Sequence, residues 1–225
     1  MRMRSNLERL TLPIMAGWLT TGAAADIIST SSSVLIQPLP DVLLLGAKED
    51  TDHAFVFEER HGLVLAAPLH VDLIAPFDWT ATIGQPVPPA ALGGDLPAGL
   101  GVNSHLVHYD PVGTTLILTR VEGTIAFQNP VLGAIVMTQH LNDSDSLLGV
   151  PGTVYAQGFT YRGMEEFDHA KVTLVDPYTV EFRLFAGPVM NEFRVITAIP
   201  EPAPALLAII GLLLTARRTT PRRPR

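Results

Sequence analysis

The 225-residue sequence predicts an all-β body, an antiparallel β-sandwich or jelly roll of about ten strands, set between two dissimilar ends. Three observations carry that prediction. Short runs rich in Val, Ile, Leu, Phe and Thr recur between clusters of turn-forming residues, and the chain holds 18 Gly and 19 Pro. Several runs alternate with period two, which marks strands with one buried face. Few stretches show the 3.6-residue spacing of an amphipathic helix, which argues against α/β organisation.

The elements follow in chain order. Residues 1–25 hold three arginines (Arg2, Arg4, Arg9), a mainly apolar stretch from Leu10 to Leu19, and Ala23-Ala24-Ala25 before Asp26. That is the layout of a secretory signal helix with an A-x-A cleavage site, which makes Asp26 the expected mature start. The body, 26–198, carries the strand-like runs 33–37, 41–46, 54–58, 62–66, 70–74, 114–121, 123–128, 134–139, 170–175, 178–185 and 191–199. In 178–184, Val180, Phe182 and Leu184 share one face, while Thr179, Glu181 and Arg183 share the other. In 192–197, Phe193 and Val195 oppose Glu192 and Arg194. "GQPVPPAALGGDLPAGLG" (84–101) reads as a long loop. After the triplet Pro200-Glu201-Pro202, Ala203 to Ala216 is uncharged, and Arg217, Arg218, Arg222 and Arg223 follow as a basic anchor. A helix of that apolar length spans about 21 Å, shorter than the ~30 Å hydrocarbon core of a membrane. It is transmembrane-like, and its arginines place the C-terminal end on the cytoplasmic side.

Composition excludes several functions. There is no cysteine, so disulfides, thiolate zinc sites and thiol nucleophiles are absent. Between Asp26 and Pro202 stand 21 acidic and 7 basic residues. A body so acidic repels phosphate backbones, so no nucleic-acid partner is expected.

The tail, 199–225, resembles PEP-CTERM sorting tails, in which a PEP triplet, a short apolar span and a basic end occur in that order. The resemblance implies an exported bacterial protein, held transiently in the membrane and cut near Pro200–Pro202 by an exosortase. Signal peptidase would act at the other end, and the product would stay in the cell envelope or the extracellular matrix. Five stretches of the body (102–113, 123–136, 141–155, 162–168 and 191–198) also resemble a recurring architecture among PEP-CTERM proteins, one that brings no assigned activity.

Within the body the candidate sites are weak. "SHLVHYDP" groups His105, His108 and Asp110, but on a strand His105 points away from the other two, which makes a poor zinc site. "LNDSDS" (141–146) reads as a loop whose Asn142, Asp143 and Asp145 offer oxygens to a hard cation, with Glu165, Glu166 and Asp168 of "RGMEEFD" completing the shell. Ca²⁺ is the one cofactor such a set would suit, and Asx-turn caps explain the same residues. "DTDHAFVFEER" concentrates Asp50, Asp52, Glu58 and Glu59, which read either as solvated turn charges or as the carboxylate pair of a glycoside hydrolase. Trp79 reads as a core anchor or as a carbohydrate contact. The expected function is therefore a non-enzymatic exported protein, structural or polysaccharide-associated. A secreted β-sandwich hydrolase built on Glu58/Glu59 or Glu165/Glu166 and a calcium-stabilised adhesion module are the alternatives.

Overall fold

A computed structural model describes residues 26–82, 85–113, 118–166 and 169–199, and for Glu166 the backbone alone. The expected signal peptide with Ala23 and Ala25, Pro200, Glu201 and Pro202 of the tail, Arg217, Arg218, Arg222 and Arg223, and Asp168 all lie outside these residues. Among the described residues no helix is long and apolar enough to cross a membrane.

The body is all-β, with antiparallel and mixed sheets. Its strands are β1 (Ile27–Thr30), β2 (Val34–Ile36), β3 (Val42–Leu43), β4 (Ala54–Val64), β5 (Leu69–Val71), β6 (Leu73–Ile74), β7 (Asp78–Thr80), β8 (Gly94–Leu96), β9 (Gly101–Tyr109), β10 (Thr119–Phe127), β11 (Val131–Ile135), β12 (Val154–Tyr155), β13 (Lys171–Asp176), β14 (Thr179–Ala186) and β15 (Asn191–Ala198). One α-helix, α1 (Thr138–Leu148), follows β11. A five-stranded sheet runs β1-β10-β14-β13-β7, and a six-stranded sheet runs β2-β4-β9-β15-β11-β6. Two small pairs, β3 with β12 and β5 with β8, complete the pairing.

Alternation places the main core between the two large sheets. Val121, Ile125 and Phe127 of β10 and Val180, Phe182 and Leu184 of β14 meet Val56, Val107, Phe193 and Val195 of the facing sheet in one cluster. The Phe182 and Phe193 rings touch across the layers, with centroids 5.3 Å apart. Gly123 stands where a β-carbon would lie 2.4 Å from Val34 and 2.9 Å from Phe182, so the absence of a side chain lets the sheets close.

A second apolar cluster lies on the opposite face of the six-stranded sheet, under α1. It joins Phe55, Phe57 and Leu106 of the sheet to Leu141 and Leu148 of the helix. The helix buries Leu141, Ser144, Asp145 and Leu148, the i, i+3, i+4, i+7 stripe of one face.

Several expectations are corrected. The 141–146 stretch is helix, not loop, and the run at 134–139 leaves the sheet after Ile135 to enter α1. Tertiary packing of the Leu141 face overrides the turn preference of Asn, Asp and Ser. The runs at 54–58 and 62–66 form one strand, bent by register shifts between Glu58/Arg60 and Arg60/Leu63. Pairing is not purely antiparallel, because β2 runs parallel to β4 and β3 parallel to β12. The Pro/Gly-rich 84–101 segment contributes β8, which pairs with β5.

Candidate functional site

Three polar clusters interrupt the apolar interior, and β9 carries residues of two of them. Asn103, His105, Val107 and Tyr109 alternate with Ser104, Leu106 and His108, so the two histidines do point to opposite faces of the sheet.

On the inner face, the Asp26 carboxylate is buried. It accepts hydrogen bonds from His105 Nε2 (2.9 Å), Asn103 Nδ2 (3.1 Å), Asn129 Nδ2 (2.6 Å) and the Thr197 hydroxyl. Burial alone would raise its pKa, but the donors from His105, Thr197 and Asn103 win and hold it at about 2. The backbone nitrogen of Asp26 donates to Glu58 Oε1 at 2.8 Å. Among the described residues His105 Nδ1 meets no hydrogen-bond partner.

On the outer face, under α1, lies a buried ionic cluster. Arg194 of β15 donates to Glu59 through Nε (2.6 Å) and Nη2 (2.8 Å), and to Asp145 of α1 through Nη2 (2.9 Å). Arg162 donates to Asp145 through Nη1 (2.6 Å) and to Glu192 through Nε (2.5 Å). Glu192 also accepts from His108 Nδ1 at 2.7 Å, while His108 Nε2 faces the Lys48 carbonyl at 3.1 Å. Both nitrogens of His108 thus face acceptors. Arg162 and Arg194 stand among three carboxylates, Glu59, Asp145 and Glu192. Burial opposes the charge on Glu192, yet Arg162 and His108 hold its pKa at about 2. Burial disfavours charged arginine, but Glu59 and Asp145 hold Arg194 above its usual value. The Tyr155 hydroxyl donates to Glu59 at 2.8 Å, and burial raises its pKa.

The third cluster lies at the start of α1. Asp72 Oδ2 accepts from the backbone N–H groups of Val136 (2.8 Å) and Met137 (2.9 Å), and Oδ1 meets His140 Nδ1 at 2.5 Å. The His70 ring stands edge-on to that of His140, centroids 4.7 Å apart, with its Nδ1 3.0 Å from Asp95 Oδ1. One ligand atom from each of His70, Asp72 and His140 lies within 4.8 Å of the others. Glu165 accepts from the Thr138 N–H (2.9 Å), so Asp72 and Glu165 set two carboxylates at the positive end of the helix. Gly163 makes that approach possible, since a β-carbon there would lie 2.4 Å from the Val136 carbonyl oxygen.

Among the described side chains, the expected calcium ligands Asp143, Asp145 and Glu165 do not converge. Asp145 is held by two arginines, Glu165 caps Thr138, and Asp143 pairs with Gln139 on the outer surface of α1. Glu58 and Glu59 project to opposite faces of β4, one to Asp26 and the other to Arg194, so they do not flank a common groove. Asp50 closes a local turn by accepting from the N–H groups of Asp52 and His53. Asp110 accepts from the Gly46 N–H, and burial raises its pKa. Trp79 is 4% exposed and packs in the main core, not on a sugar-facing surface. Sequence reasoning missed the His70–Asp72–His140 group because 68 residues separate Asp72 from His140. The one local signal was the "HVD" spacing at 70–72. Comparison of the chain with protein-family models, with curated proteins and with solved structures returned no match.

Proposed function

We propose that this chain is an exported, non-enzymatic β-sandwich protein of jelly-roll type, freed from its signal peptide before Asp26 and sorted through its PEP-CTERM-like tail. The single observation that carries the proposal is the seat of Asp26. Its side chain is anchored by four residues of the fold, and its backbone nitrogen lies 2.8 Å from Glu58 Oε1. Cleavage after Ala25 turns that nitrogen into an α-ammonium facing a carboxylate, replacing a neutral donor by a charge-assisted one. The residue that the A-x-A pattern makes the first is thus one the body holds on both sides of its Cα.

On this reading the mature body works in the envelope or the extracellular matrix as a structural or polysaccharide-associated module. Its acidic balance suits neutral polymers or cations better than phosphate-rich partners. Support for a binding rather than a catalytic role comes from the buried carboxylates Asp26, Glu59, Asp145 and Glu192, each tied into pairs that fix the fold. The test is intact mass with terminal peptide mapping on protein recovered from its native host. A species from Asp26 to the Pro200–Pro202 region is expected. Recovery of chains still running from Met1 or to Arg225 would overturn the reading.

A further inference from the structure

We infer that His70, Asp72 and His140 form a site for a zinc-class divalent transition-metal ion. The inference is independent of export, because it rests on side chains of the body alone.

The donor chemistry selects the ion. Two imidazoles and one carboxylate match the nitrogen and oxygen ligands of Zn²⁺ and its first-row neighbours, whereas Ca²⁺ and Mg²⁺ favour all-oxygen shells. The three ligand atoms already lie within 4.8 Å of one another, so the fold itself brings them together.

The surroundings are built to orient these groups. Asp72 is buried, and the N–H groups of Val136 and Met137 hold its Oδ2. That fixes the carboxylate plane and turns Oδ1 toward His140. Asp95 holds His70 through Nδ1, the outer carboxylate–histidine contact that fixes ring orientation at many metal sites. Asp95 and His70 are register partners on β8 and β5, so the sheet itself sets that contact. The side chains of His70 and His140 are 49% and 38% exposed, which leaves an entry path and room for water to complete the shell. A bare His140–Asp72 ion pair accounts for two of these residues, but not for the second imidazole set edge-on against the first or for the carboxylate that steadies it.

The ion would join two separate segments: the β5–β6 stretch that carries His70 and Asp72, and the first turn of α1 that carries His140. It would clamp the helix to the edge of the six-stranded sheet.

The experiment uses the full chain, stripped with a chelator and titrated with ZnCl₂ by calorimetry and thermal melting. One ion per chain is expected, with a Tm that climbs with the logarithm of free Zn²⁺. Ca²⁺ at the same concentrations should leave Tm unchanged. His70→Ala and His140→Ala should each weaken binding by more than about 100-fold, and Asp95→Asn by about 10–100-fold. His61→Ala, on β4, should bind as the parent does. His70 reaches solvent and pairs with the exposed Asp95, so His70→Ala should melt as the parent does in chelator. His140→Ala also removes the bond to Asp72, so where it loses stability there His70→Ala decides, because the His70 ring meets α1 only edge-on at His140. Absence of saturable binding to the parent chain, or stoichiometric binding that survives His70→Ala, would overturn the site.

Discussion

Strands β14 and β15 carry the same tripeptide, Glu-Phe-Arg, at 181–183 and 192–194, and the two copies meet opposite fates. Their phenylalanines face each other across the main core. On β14 the charged face looks outward, where Glu181 pairs with Lys171 and Arg183 with Glu122 on the open side of the five-stranded sheet. On β15 the equivalent Glu192 and Arg194 are sealed beneath α1. What separates them is the layer above: helix α1 and the Arg162 segment cover one sheet and leave the other bare. Alternation within a strand tells which side chains share a face, and only the rest of the chain decides what lies on it.

Substitutions at matched positions should break this symmetry. Arg194→Ala strands Glu59 without a cation, leaves Asp145 with Arg162 alone, and should cost about 3–5 kcal/mol of stability, read from urea unfolding. A loss below about 1 kcal/mol would mean that water reaches the cluster. Acidification should act next. Glu192 and Asp26 titrate at about 2 in the fold, below their ordinary values of 4.5 and 3.8. Depressed carboxylates contribute stability above their unfolded pKa and lose it as pH falls through the folded one. The urea midpoint should therefore drop between about pH 4.5 and 2, and Asp26→Asn should make that drop shallower. A midpoint flat through this window would contradict the pairing. The smallest effect belongs to Arg183→Ala, which should change stability by no more than about 1 kcal/mol and should matter less in high salt. If Arg183→Ala and Arg194→Ala cost the same, burial is not what distinguishes the two strands.

The all-β class and most strand positions were legible because a half-buried strand writes its face into the order of Val180, Phe182 and Leu184. The ionic cluster was not. Glu192 and Arg194 read as solvent-facing in a strand whose other side is apolar, and nothing near them announces a covering helix. The helix itself was hidden, since Asn142, Asp143, Ser144 and Asp145 favour turns, and α1 is held by Leu141, Leu148 and carboxylates supplied by Asp72 and Glu165. The opposed directions of His105 and His108 were legible from strand geometry alone. The grouping of His70 and Asp72 with His140 depends on a chain reversal that no local pattern encodes.

Strand β15, the last of the body, does not lie at an edge. It sits between β9 and β11, and its Thr197 reaches the Asp26 carboxylate 171 positions earlier. A chain that emerges amino end first can assemble β4 against β9, but it must wait for its final strand before the six-stranded sheet has a middle and Glu59 has its arginine. Synthesis order and sheet order are at odds, so a prematurely ended chain lacks a central plank rather than a trim. Folding is thereby tied to completion: the six-stranded sheet gains its middle only when the last strand of the body has arrived.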